Sequence, residues 1–322
     1  MTDEPRLLTV SRPLKADLHV HSFHSGFTST LRMFRSLDCY STPEEVYRRA
    51  KARGMDVVTI TDHDSINGCL ELLDRHPDAP DILVGEEIEC RLPDTGIRVH
   101  LGAFGLSERI HRDVQPLCGD VREAAAFLRA HSVGLVLHHP FHFFRGEMPV
   151  GRYLEDLLPL VHAVEARNGT MLPGHNETVA RLVAARAQLG LGQTGGSDAH
   201  VLSHVGDSYT NASGMKPEPM AGMALTPAAA FLDSLKRGET RAAGRHGTPG
   251  RFAFEIYGVV FNYWGGLLGL RRSGLSAGER LSGLGCSLVS LPFQFTPLLV
   301  SIAQKIGERR RVARWNRELE TT

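Results

Sequence analysis

From about residue 14 to 240, short apolar runs alternate with stretches of helical period. Leu14–Val20, Asp56–Thr61, Ile82–Glu89, Ile97–Phe104, Gly134–His138, Val161–Ala166 and Leu191–Gly195 read as strands. Thr42-Pro43-Glu44-Glu45 supplies an N-cap, a proline at the first helical position and a capping-box glutamate, and Gly54 ends that helix. Asp120–His131, Asn176–Leu189 and Pro227–Arg237 carry further helices. Strands separated by helices predict a parallel sheet, open or closed into a barrel, and seven such strands favour the barrel.

The strand ends are polar in a particular way. Leu14, Ala16, Leu18 and Val20 alternate with Lys15, Asp17, His19 and His21, which puts Asp17, His19 and His21 on one face. The later runs end in Asp62-His63-Asp64, in His138-His139-Pro140 and in Gly196-Ser197-Asp198-Ala199-His200. Polar residues gathered at the C-terminal ends of barrel strands point to catalysis.

The pattern changes after residue 250. From Phe252 to Gln304 the charged residues are Glu255, Arg271, Arg272, Glu279 and Arg280. The uncharged stretch Leu281–Gln304 is long enough to span a bilayer, although Gln294, Pro292 and Pro297 interrupt it. Arg309-Arg310-Arg311, Arg314 and Arg317 follow, a flank suited to an anionic membrane surface. The plainer reading is a helical extension packed on the barrel or on a partner subunit. Two units are therefore expected, a barrel over 1–250 and an apolar and basic helical extension over 251–322.

Composition narrows the function. Lysine plus arginine and aspartate plus glutamate are both 36, so a net charge of zero gives no general case for wrapping nucleic acid. Five scattered cysteines without a C-x-x-C pair fit a reduced, cytoplasmic protein. Met1 to Arg12 carries charge and no apolar core, so no secretory signal is expected there.

Histidine is the informative residue. His-x-His on a strand presents two imidazoles about 7 Å apart on one side, which suits a shared metal. Alone the pair says little, but Glu87, His100, His139, Asp198 and His200 lie at or near other strand ends. A mixed histidine and carboxylate set favours zinc, manganese or iron over magnesium or calcium, and more than four ligands imply more than one metal. Two such metals can bind a phosphoryl group and activate water.

Asp17-Leu18-His19-Val20-His21-Ser22, Thr61-Asp62-His63-Asp64, Gly85-Glu86-Glu87, His139-Pro140 and Gly196-Ser197-Asp198-Ala199-His200 resemble, in order, the motifs of the PHP (polymerase and histidinol phosphatase) family. The resemblance covers roughly residues 14–250. It implies a distorted seven-stranded β/α barrel, two or three divalent metals and phosphoesterase activity on a small phosphorylated substrate. His19, His21, Glu87 and Asp198 would hold the first metal, with Glu87 bridging to a second held also by His100 and His139. His63 and His200 would hold the third, with one more ligand from the segment after His21. There the family often has Ser-Asp-Gly where this chain has His24-Ser25-Gly26, so either His24 substitutes or the third site is weak or absent.

Neighbouring residues take supporting roles. The family register together with strand parity favours Glu87 over Glu86 as the ligand, and the family's His-Pro motif favours His139 over His138. Asp17 and Asp64 would orient imidazoles from behind, with helix capping an equal reading for Asp64. Arg145, Arg167 and Arg245-His246 follow strand ends and could meet phosphate, with His204, His246 or a metal-bound water as the leaving-group acid. The leading expectation is phosphoester hydrolysis by metal-activated hydroxide. One competing reading is a weakened barrel acting as a binding module through 251–322. Another is a C–N bond hydrolase, disfavoured because no barrel strand after Lys15 carries a lysine.

Overall fold

The computed structural model describes residues 12–27, 36–213, 226–271, 273, 275–289 and 296–320. The charged N-terminal stretch (apart from Arg12), Arg272 and residues 290–295 of the long uncharged stretch lie outside the described residues.

The predicted helix over residues 43–53 forms as α1 (Pro43–Ala52), and its capping box is present on both sides. Thr42 accepts from the Glu45 amide, and the Glu45 carboxylate accepts from the Thr42 amide at 2.8 Å. After α2 (Asn67–Arg75) come β2 (Gly85–Leu92) and β3 (Ile97–Phe104). These two pair antiparallel because a four-residue turn over 93–96, too short for a crossover, joins them. Gly96 in that turn takes a φ of 70°.

Next in order are α3 (Glu108–Val114), α4 (Val121–Ala130), β4 (Gly134–Leu137), α5 (Val150–Leu157), β5 (Ala163–Asn168), α6 (Pro173–Ala184) and β6 (Gly192–Gly196). β4 pairs antiparallel with β3, whereas β4, β5 and β6 run parallel through helical crossovers. A five-stranded mixed sheet in the order β2-β3-β4-β5-β6 results.

A second sheet of three strands joins β1 (Leu14–Ala16) to β7 (Ser208–Ala212) and β8 (Thr240–Gly244), all antiparallel. α7 (Pro227–Lys236) lies between the last two in sequence. The molecule is thus a mixed α/β fold in which no sheet closes on itself among the described residues.

The predicted strand Asp56–Thr61 does not form a ladder. The segment 56–63 lies between β1 and β2 in sequence and makes two isolated parallel bridges, Val58 to Ile82 just before β2 and His63 to Glu87 within it. Side chains add to its scattered main-chain bonds, such as that from the Thr61 amide to the Val20 carbonyl. The Thr61 hydroxyl accepts from the Val20 amide at 3.0 Å and the Asp62 carboxylate from the Ser22 amide at 2.6 Å. On the other side of β1, the Asp198 amide donates to the His19 carbonyl and the His21 amide to that of Ala199. These contacts lay the His19–His21 strand end beside the exits of β6 and of the 56–63 segment.

The C-terminal residues form α8 (Pro249–Leu267), α9 (Ala277–Val289) and α10 (Pro297–Glu320). The stretch Leu281–Gln304 is divided between α9 and α10, and no described helix is long and apolar enough to cross a membrane. α10 turns Ser301, Lys305, Glu308, Val312 and Trp315 inward, a spacing of four and three that keeps one helical face buried. Trp315 stacks on Phe141 at 4.7 Å between ring centres and sits in the same apolar cluster as the cores of β2 to β5. The five cysteines are free thiols.

Candidate metal centre

Eight of the residues predicted as ligands converge where β1, β2, β3, β4, β6 and the 56–63 segment end or lie close together. Glu87 is at the middle. Its Oε2 lies 3.3 Å from His19 Nε2, 3.6 Å from His21 Nε2 and 3.1 Å from His63 Nδ1. Its Oε1 lies 2.8 Å from His100 Nδ1 and 3.1 Å from His139 Nε2. Asp198 Oδ1 lies 3.5 Å from both His19 Nε2 and His21 Nε2. Strand parity explains the choice of glutamate: Glu86 points to the other face, where it accepts from His111 Nδ1 at 2.9 Å.

Three buried atoms that face this space, His19 Nε2, His21 Nε2 and Glu87 Oε2, have no well-directed hydrogen bond among the described residues. Buried polar groups are ordinarily satisfied, and several lone pairs crowded together without donors suit a cation. The other ring nitrogens are already held. His19 Nδ1 donates to Glu165 Oε1 at 3.0 Å. His21 Nδ1 meets Ser25 Oγ at 3.0 Å, and Ser25 in turn donates to Asp62 Oδ1 at 2.8 Å. Such partners fix the tautomer and leave Nε2 as the ligand atom.

A carboxylate, and not His24, joins the third predicted ligand group. His24 Nε2 is 3.0 Å from Glu71 Oε2 and takes no part in the cluster. Asp38 supplies the carboxylate instead, 2.8 Å from His200 Nε2 and 3.6 Å from His63 Nε2. His21, Asp38, His63 and His200 offer ligand atoms all within 4.8 Å of one another. Cys39 holds this loop in place, its thiol 3.3 Å from the carbonyls of both His21 and His200.

Asp17 and Asp64 do not orient imidazoles. Asp17 accepts from the Ser197 and Gly206 amides, each at 2.8 Å, and so ties β1 to the loop that carries Asp198 and His200. Asp64 accepts from the Glu89 amide at 2.9 Å. Glu165 is the carboxylate behind the imidazoles, since its Oε2 also accepts from the His139 amide at 2.8 Å. His138 stacks on His19 with ring centres 4.0 Å apart, and Gly102 leaves room for it, because a β-carbon there would fall 2.3 Å from His138 Nε2.

The backbone is bent to make these approaches. Asp64, His139 and Asp198 have φ values of 46°, 22° and 51°, in or next to the left-handed region that non-glycine residues rarely adopt. A β-carbon on Gly196 would fall 2.2 Å from that of His19.

Charge is concentrated accordingly. Burial opposes ionisation of Glu87, yet His19, His100 and His63 hold its carboxyl well below the usual range. Burial likewise disfavours a charged His19, but Glu87, Asp198 and Glu165 raise it well above an ordinary imidazole. Burial and the neighbouring His200 push His21 down to about 3. His200 rises to about 10 against its burial because Asp38 faces it. Carboxylates held ionised against raised imidazoles form an environment in which a divalent cation would take over the charge that ring protons supply.

The predicted cations lie outside the ligand cluster. Arg167 Nη1 donates to the Gly244 carbonyl at 2.9 Å and lies 3.0 Å from His246 Nε2, while Asn176 Nδ2 is 3.1 Å from His246 Nδ1. Arg145 donates to the carbonyls of His142 and Phe144 in its own loop.

The C-terminal helices reach the centre by two routes. From α8, Glu255 Oε1 accepts from His204 Nδ1 at 2.6 Å, its Oε2 is 3.8 Å from His200 Nδ1, and Arg251 binds Asp207 at 2.9 Å. From α10, Lys305 donates to the Thr170 carbonyl at 2.6 Å and Glu308 accepts from the Leu172 amide at 2.7 Å. Thr170 Oγ1 in turn donates to Asp198 Oδ2 at 2.9 Å.

A histidine and carboxylate centre fit for divalent metals is what the PHP motifs imply, and comparison with known proteins supports the likeness. Residues 174–240 match the family model PHP_C, described as PHP-associated. An uncharacterized protein of Methanocaldococcus jannaschii is 33% identical over 76 residues, which span 23% of this chain and 44% of that relative. PsfC from Pseudomonas syringae shares the fold at 18% identity and a TM-score of 0.50, over 79% of this chain and 98% of its own. A Bifidobacterium adolescentis chain, provisionally described as a metal-dependent phosphoesterase, aligns at 18% identity and a TM-score of 0.45, over 71% of this chain and 98% of its own. The match over residues 174–240 agrees with the PHP likeness read from the motifs.

Proposed function

We propose that the protein is a metal-dependent phosphoesterase acting on a phosphomonoester or small phosphodiester, such as a nucleotide, short oligonucleotide or sugar phosphate. The observation that carries this reading is the Glu87 carboxylate set among five predicted imidazole ligands, two of whose ring nitrogens face it without a well-directed hydrogen bond. His19, His21, Asp198 and Glu87 are assigned to one metal, and Glu87, His100 and His139 to a second. His63, His200 and Asp38 are assigned to a third, with His21 alongside.

Divalent metals bound there would supply Lewis acidity toward a phosphoryl oxygen and lower the pKa of a water. The chain's own task is to fix the ligands. Glu165 orients His19 and holds the His139 backbone, the Ser25–Asp62 relay orients His21, and Thr170 with Asn168 holds the free oxygen of Asp198. Arg167 and His246, beside Asn168, are the groups assigned to meet the substrate's negative charge. Arg145 is assigned to its own loop.

Protein reconstituted with manganese or zinc should hydrolyse p-nitrophenyl phosphate or its bis-ester, and chelated protein should not. Absence of hydrolysis with every divalent metal would overturn the reading. Asp38→Ala should lose one metal equivalent per chain by elemental analysis, while His24→Ala should keep the wild-type number. Glu165→Ala should weaken metal affinity roughly 10- to 100-fold in calorimetric titration, as removal of an imidazole's partner generally does.

A further inference from the structure

We propose that the outer face of α8, α9 and α10 docks on an anionic lipid membrane, with the helices lying along the surface and not crossing it. Among the described residues, the exposed large hydrophobic side chains other than Phe27 and Leu189 all fall between Phe254 and Ile306. They are ordered by helix. On α8, Phe254, Phe261 and Leu268 recur every seven residues at 54%, 74% and 59% exposure, which places them on one face from the helix to its C-cap. On α9, Leu281 and Leu288 are likewise seven apart.

α10 carries the clearest stripe. Opposite its buried Lys305, Glu308, Val312 and Trp315, the exposed face reads Leu299, Ile302 and Ile306. The same face continues into Arg309, Arg310 and Arg317, also exposed. An apolar stripe running into arginines on one helical face is the pattern of an interfacial helix. Exposed apolar area on this scale marks an interaction surface.

Charge decides the occupant. Exposed Arg271 adds to the basic rim, whereas Glu255 and Glu308 are buried and Glu279 accepts from the Ser276 amide and hydroxyl. A second copy meeting this face would bring no carboxylate of Glu255 or Glu308 to these arginines, since both are buried. Anionic headgroups would be attracted to the arginines. The absence of a crossing helix among the described residues fits docking in the plane of the membrane. Because the inner face of α8 holds Glu255 against His204, docking would carry the metal centre behind a membrane-facing helix.

The test is flotation of the full-length protein with vesicles of phosphatidylcholine alone or mixed with phosphatidylglycerol. Binding should require phosphatidylglycerol and fall as salt rises. Arg309→Gln with Arg310→Gln should lower the partition coefficient roughly 30-fold. Phe261→Ser with Leu268→Ser should weaken it too, with circular dichroism unchanged in both variants. Failure to bind anionic vesicles would overturn the proposal. Equal binding to neutral vesicles would overturn it as well. So would a stable dimer in light scattering that Phe261→Ser splits.

Discussion

Glu87→Ala should lose its metals and hydrolyse phosphoesters on the order of a thousandfold more slowly, or worse. Glu87 is the one side chain near all three proposed sites, with Oε2 facing His19, His21 and His63 and Oε1 facing His100 and His139. Losing a single outer ligand would leave the remaining groups to hold a metal, whereas losing Glu87 removes the anion that screens the imidazoles from one another. Metal catalysis contributes several kcal/mol of transition-state stabilisation, and each 1.36 kcal/mol is tenfold in rate. Glu87→Gln keeps the shape and removes the charge. It should fold, bind metal poorly and show the same loss, which separates the chemistry from a packing defect. The checks are kcat/KM with a chromogenic phosphoester and metal content by elemental analysis.

Trp315→Ala should destabilise the whole protein by about 3–5 kcal/mol, the usual cost of emptying a buried aromatic site. Trp315 is 1% exposed, stacked on Phe141 and near Phe144, in the cluster that also contains Leu101, Leu137 and Val164 from the five-stranded sheet. Among the described residues its indole Nε1 has no hydrogen-bond partner, so no polar loss adds to the cavity cost. The expected readout is a lower urea midpoint by both fluorescence and circular dichroism, in one coincident transition. The same variant tests the division at residue 250. If 251–322 were a separate unit, the transition of the two sheets would stay where it is and only the helical signal would move.

The chemistry was more legible than the architecture because ligands sit at strand ends, where period-2 alternation is easy to read. His19 and His21 follow from it, whereas Glu87, His100 and Asp198 needed the motif resemblance as well, and parity together with that resemblance decides Glu87 over Glu86. Asp38 was not legible. It lies in a loop without periodicity, and what brings it to His200 is a pair of Cys39 thiol contacts with carbonyls distant in sequence. Glu165 sits in a segment whose strand-end signal draws attention to Arg167, yet it is Glu165 that reaches His19. Asp17 has the right parity to stand behind an imidazole, but the Ser197 and Gly206 amides hold it.

Architecture failed for comparable reasons. Ser208–Ala212 and Thr240–Gly244 are short, small and polar, with no apolar run to mark them as strands. The 56–63 segment has the apolar run of a strand but spends two of its side chains on amides that a ladder would have used.

The most direct test of the metal centre is anomalous diffraction from crystals grown with manganese or zinc. Two or three peaks should appear around Glu87, one of them between His63, His200 and Asp38 and none beside His24. Metal-loaded crystals with no peak near Glu87, or with peaks elsewhere in the fold alone, would contradict it.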